Sequence, residues 1–68
     1  MKVVLRDEFI KLGQALKAAG LAETGSMAKD VIQNGEVLVN GEVEKRRGRK
    51  LYDGDEVVFA GETVTIVK

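Results

Sequence analysis

The stretch Val37-Leu38-Val39-Asn40-Gly41-Glu42-Val43-Glu44 constrains the fold more than any other part of the chain. Apolar residues recur with period two on both sides of Asn-Gly, the dipeptide that best satisfies a two-residue type I′ turn because both central positions need φ > 0. The pattern specifies a β-hairpin. Further on, Asp53-Gly54 marks another turn, Val57 to Phe59 a strand, Ala60-Gly61 a tight reversal, and Val64 to Val67 a last strand. The opening Lys2-Val3-Val4-Leu5 is expected to add an edge strand.

Before the hairpin the period changes. From Asp7 to Ala19, the residues Phe9, Leu12, Leu16 and Ala19 recur at helical spacing, with Lys11, Gln14 and Lys17 on the other side. This predicts an amphipathic helix, favoured at its start by Asp7 and Glu8 and stopped at Gly20. Gly13 inside it costs about 0.5–1 kcal/mol relative to alanine, and close helix packing is the expected reason for its presence. After Leu21 to Glu23, Thr24 or Ser26 can cap a second helix with an inward face of Ala28, Val31 and Ile32, closed by Asn34-Gly35. The fold class is therefore α+β: a two-helix hairpin packed on a small, mostly antiparallel β-sheet.

Size and composition limit what such a fold can do. A chain of 68 residues is read as a single domain over residues 1–68, and a domain of this size buries only about 60% of the surface its unfolded chain exposes. Little core is left for a buried catalytic pocket. Its 44% hydrophobic and 32% charged content fits a folded domain rather than a disordered segment. Cysteine is absent, so the core alone must hold the fold, as suits a reducing compartment, and a cytoplasmic location is expected. Charge enters early in the N-terminal sequence, well short of a signal-peptide apolar region or the ~20 residues of a membrane span, so no membrane partner is expected.

Chemistry narrows further. With neither His nor Cys, the usual general base, the cysteine nucleophile and the common zinc ligands are missing, and no catalytic role, metal or cofactor is expected. Asp53, Asp55 and Glu56 cluster, but they begin at an Asp-Gly turn and lack the spaced oxygen ligands of a calcium loop. Gly20 to Gly25 reproduces the glycine spacing of a phosphate loop, yet Ser26-Met27 stands where lysine and a hydroxyl residue are required.

The informative feature is Glu44-Lys45-Arg46-Arg47-Gly48-Arg49-Lys50, which holds five of the eleven cations of a formally neutral chain. Such a run is either a solvated loop or a surface neutralised by a partner. Because the acids are spread along the helices and the far hairpin, the neutral total conceals a dipolar surface.

The order of these elements resembles the S-four domain, the RNA-binding module named after the fourth protein of the small ribosomal subunit. Ile32 to Gly35 matches its I-x-x-G helix end, Val37 to Gly41 its V-x-V-N-G, and Gly54-Asp55 its G-D turn. The likeness runs from about Lys11 to Val58, and extends to short, free-standing bacterial members that carry Arg-Arg-Gly between the two hairpins. It implies the αL arrangement, with both helices and the following loop forming one RNA-facing surface. Lys11-Leu12-Gly13 stands where the family has Arg-Leu-Asp, so the acid is missing. Thr24-Gly25-Ser26-Met27-Ala28-Lys29 stands where the family has Ser-Arg-Ser-x-Ala-Arg, with Gly25 in place of the first arginine.

The resemblance implies an RNA-facing set of Lys11, Gln14, Thr24, Gly25, Ser26, Lys29, Lys45, Arg46, Arg47, Arg49 and Lys50. Each has a plainer reading, since exposed lysine is ordinary on helices and Thr24 and Ser26 are good caps. Together they would take phosphates on arginine forks and at a helix N-terminus. Phe9 and Phe59 are read onto apolar faces, which leaves Tyr52 as the one candidate for base stacking. The expected partner is structured ribosomal or transfer RNA, with ribosome association and a monomeric state. The alternative is a protein-interaction module whose basic edge docks an acidic partner. Whether the run binds phosphates or is a solvated loop, Arg46, Arg47 and Arg49 are expected to be replaceable by alanine without loss of folding.

Overall fold

A computed structural model describes all 68 residues. The elements run β1 (Lys2–Val4), β2 (Ile10–Lys11), α1 (Leu12–Ala18), α2 (Gly25–Gln33), β3 (Leu38–Val39), β4 (Glu42–Val43), β5 (Lys50–Leu51), β6 (Glu56–Phe59) and β7 (Glu62–Val67). Five strands form one sheet in the order β1-β7-β6-β3-β4, while β2 and β5 pair separately as an antiparallel ribbon. Only the β1–β7 pair is parallel, with Val3 opposite Ile66 at the sheet edge. The architecture is the expected α+β arrangement.

Strand alternation decides which side of the sheet is buried. Val39, Val57 and Val64 lie side by side across β3, β6 and β7, and all three are buried. The helices contribute to the same core: Leu12, Ala15 and Leu16 from α1, and Ala28 and Ile32 from α2. Thr24 caps α2, its Oγ1 accepting a bond from the Met27 N–H at 3.1 Å. Gly20 and Gly35 follow the two helices at φ 76° and 78°, the left-handed conformation that closes a helix most cheaply with glycine.

The first helix starts later than its apolar spacing indicates. Asp7 and Glu8 lie outside it, and Ile10–Lys11 pairs with Lys50–Leu51 instead. Phe9 falls in register with Leu12 and Leu16, but its ring packs on Tyr52 with centroids 6.0 Å apart. Pairing with a distant strand therefore overrides local periodicity, as tertiary context commonly does. Gly13 becomes the second residue of α1, and its neighbour is the basic loop rather than another helix: an added Cβ would lie 3.6 Å from the Arg47 Cβ.

Two of the sequence signatures turn out to be one structural unit. Asn40 and Gly41 adopt φ 52° and 86°, the double positive φ of a type I′ turn. From that turn the Asn40 side chain donates to Asp55 Oδ1 at 3.1 Å and accepts the Glu56 N–H at 2.9 Å. Asp55 in turn accepts the Tyr52 N–H at 2.8 Å. V-N-G and G-D are thus linked by side-chain bonds, which tie the β3–β4 hairpin to the approach to β6.

Gly41→Val should lower stability by about 1–3 kcal/mol, the usual cost of an unfavourable backbone region. A domain of this size loses roughly 4–8 °C in Tm per kcal/mol. Thermal unfolding followed by circular dichroism checks this, and an unchanged Tm would contradict the role of the turn.

Candidate functional site

Glu44 organises the basic loop. The type I′ turn sets Val39 opposite Glu42 and Leu38 opposite Val43, and the Glu44 N–H continues the ladder to the Val37 carbonyl at 3.0 Å. Glu44 therefore shares the inward face of Val37 and Val39, and it is 8% exposed, whereas Val43 turns outward at 54%. Burial of a carboxylate requires partners. Arg46 supplies Nε to Oε2 and Nη2 to Oε1, both at 3.0 Å, together with its backbone N–H at 3.2 Å. Arg49 adds Nη1 to Oε1 at 3.0 Å. The fork from Arg46 is the main reason the Glu44 carboxyl is held down at about 2, against an ordinary 4.5; burial works in the opposite direction, and Arg49 reinforces the lowering.

This clamp fixes a chain reversal whose carbonyls then serve the first helix. The Leu12 and Gly13 N–H groups, two of the donors a helix start leaves unpaired, donate to the Arg49 and Arg47 carbonyls at 2.9 and 3.0 Å. The loop is consequently docked on α1. Arg46 and Arg49 are structural in part, and the expectation that all three arginines can be removed without affecting the fold is revised: Arg47 is free for that experiment, but Arg46 and Arg49 satisfy a buried carboxylate.

Between the loop and the helices lies an open groove of about 300 Å³. Lys11, Gly13, Gln14 and Lys17 line it from α1 and its N-cap, Gly25 and Ala28 from α2, and Arg47 and Gly48 from the loop. Three cations line it and no carboxylate does. A second concavity is bounded by Arg46, Gly48, Arg49 and Lys50. Four of the residues named from the sequence, Lys11, Gln14, Gly25 and Arg47, thus meet in one groove, and Arg46, Arg49 and Lys50 meet in its neighbour. Lys29 is exposed one turn beyond Gly25 on α2, while Thr24 and Ser26 are exposed at the start of that helix.

Lys45 lies elsewhere, its stem beside Gly35 past the C-terminal end of α2, where a cation suits the helix dipole. Lys17 lines the groove although the set read from the sequence omits it, and Glu44 acts on the loop from behind, through Arg46 and Arg49. The acidic cluster is occupied structurally: Asp53 accepts the Lys68 N–H at 3.0 Å and Asp55 binds Tyr52 and Asn40. No helix is long and apolar enough to cross a membrane.

A helical pair on a small sheet, with a loop docked at the start of the first helix, defines the αL class of fold. The chain belongs to the S4 domain family, whose model matches residues 3–67. It is 54% identical over 59 residues to "Probable ribosome maturation protein RlbA" of Bacillus subtilis (strain 168), an alignment covering 87% of this chain and 83% of that protein. Over 58 residues it is 41% identical to "Putative RNA-binding protein YbcJ" of Escherichia coli (strain K12), covering 85% of this chain and 83% of that one. The solution structure of YbcJ, described as revealing an αL motif involved in RNA binding, superposes with a TM-score of 0.76 at 37% identity, covering 98% of this chain and 86% of that one.

The depressed Glu44 pKa has a definite sign. The stability it contributes is fully present above 4.5 and is lost as pH falls through about 2. Glu44→Gln should lower Tm by several degrees at neutral pH, and the gap from the wild type should close between pH 4.5 and 2. Melting curves across that range check it; a gap independent of pH would contradict the clamp.

Proposed function

We propose that the chain is a non-catalytic RNA-binding protein that holds structured ribosomal or transfer RNA against the groove between α1, α2 and the basic loop, in association with the ribosome. The observation that carries this reading is the groove itself, where Lys11, Lys17 and Arg47 converge without a carboxylate among the lining residues. A surface of that charge is repelled from itself and favours a polyanion. Membership of the S4 domain family, and the names of RlbA and YbcJ, support RNA as that polyanion.

The physical basis is backbone recognition. Arg47 can present a planar fork to phosphate oxygens, and Lys11 and Lys17 add point charges along the same groove. Arg46 keeps a 75% exposed side chain despite its bonds to Glu44, so its outer edge remains available to a second acceptor. Glu44 fixes the loop before any ligand arrives, which lowers the ordering cost of binding. The first turn of α2 opens onto the groove at Gly25, where an added Cβ would meet no atom within 4 Å.

Cations that contact phosphates release condensed counterions, so affinity falls with salt in proportion to their number. Lys17→Ala combined with Arg47→Ala should flatten the plot of log affinity against log salt by about 1.4–1.8, with the fold intact. Filter binding to total ribosomal RNA, with polyglutamate as the competing anion, measures it. Superimposable slopes, or equal preference for polyglutamate, would overturn the RNA reading in favour of an acidic protein partner. Gly25→Arg should act in the opposite direction, steepening the slope by about 0.7–0.9 and tightening binding; unchanged affinity in a folded variant would remove α2 from the interface.

A further inference from the structure

The β2–β5 ribbon carries a feature that the phosphate groove does not use. Ile10 pairs with Leu51 and Lys11 with Lys50, and Leu51 is fully buried. Because side chains alternate along a strand, Ile10 and Leu51 face the core. Phe9, Lys11, Lys50 and Tyr52 are set on the opposite, outward face. Two aromatic rings and two cations thus share one surface. Tyr52 is 48% exposed, its ring tilted at 50° to the half-buried Phe9 at 6.0 Å, and Lys50 Nζ lies 4.8 Å from the centre of the Phe9 ring.

We infer that this ribbon is a second contact site, at which an unpaired nucleotide of the bound RNA stacks its base on Tyr52 while Lys11 and Lys50 hold the adjacent phosphates. Three features lead there. An exposed aromatic face beside cations is what single-stranded nucleotides are held by. Lys11 and Lys50 stand directly opposite each other, an arrangement that destabilises a strand pair unless an anion sits between them. Lys11 also lines the phosphate groove, so a backbone lying in that groove reaches the ribbon without a break. Phe9 supports the Tyr52 ring from the side and leaves its exposed part to the base.

This inference rests on the RNA reading, and the experiment separates the two. Tyr52 is the one tyrosine in a chain without tryptophan, so intrinsic emission reports this position alone. Two RNA duplexes of equal length serve as probes, one fully paired and one with a three-nucleotide bulge. The bulged RNA should quench Tyr52 emission and the paired one should not. Tyr52→Ala should bind the bulged RNA roughly 5- to 100-fold more weakly, with the paired duplex unaffected and the salt slope retained. Tyr52→Phe should keep the affinity, and Tyr52→Leu, which preserves apolar packing on Phe9, should lose it as Tyr52→Ala does. Wild-type affinity of folded Tyr52→Leu for the bulged RNA, or a loss of equal size for both RNAs, would overturn the stacking site alone. Failure of the wild type to bind either duplex would overturn the RNA reading and the stacking site with it.

Discussion

The ion cluster of Glu44 with Arg46 and Arg49 is the interaction on which the surface of this protein depends. It joins three levels of structure. A hairpin register turns one carboxylate inward, the carboxylate gathers two guanidinium groups from a run that would otherwise repel itself, and the resulting reversal presents the Arg47 and Arg49 carbonyls to the first N–H groups of α1. Removing one partner of such a cluster leaves the others poorly satisfied. The basic loop is accordingly a shaped element, and Arg47, with no acid bonded to it, is the side chain it delivers to the groove.

That division of labour explains how a chain of zero formal charge gathers three cations in one groove. Part of the positive charge is used internally, while Lys11, Lys17 and Arg47 remain concentrated in one groove. A domain with so small a core cannot enclose a ligand, so the proposed contact surface is open and built from elements already fixed by packing. Helices supply two walls and the clamped loop the third. The proposed RNA contacts therefore extend along the surface, from the groove through Lys11 to the ribbon that carries Tyr52.

Much of this was legible in the sequence. Asn40-Gly41 announces the hairpin, and its two-residue turn also fixes the pairs 39 with 42, 38 with 43 and 37 with 44. Counting outward from the turn would have shown Glu44 on the face of Val37 and Val39, so the signal for the clamp was present. The helix ends at Gly20 and Gly35 follow equally directly from residue type, whereas for the cap residue type offered Thr24 and Ser26 alike and the structure selects Thr24. Less accessible was the start of α1. Phe9 satisfies helical spacing with Leu12 and Leu16, and only the pairing with Lys50–Leu51, forty residues away in the chain, shows that the backbone there is extended. Reading a helix through Phe9 also hides the ribbon, because Phe9, Lys11, Lys50 and Tyr52 share a face only once two strands are formed.

The most direct measurement of the central claim is an amide chemical-shift map of the protein titrated with ribosomal RNA fragments. A loop held by Glu44, docked on α1 and sharing a groove with α2 should give perturbations clustered at residues 11–17, 25–29 and 46–52. Shifts confined to the outer sheet face around Leu38, Val58 and Thr63, with the loop from Glu44 to Lys50 unmoved, would contradict it.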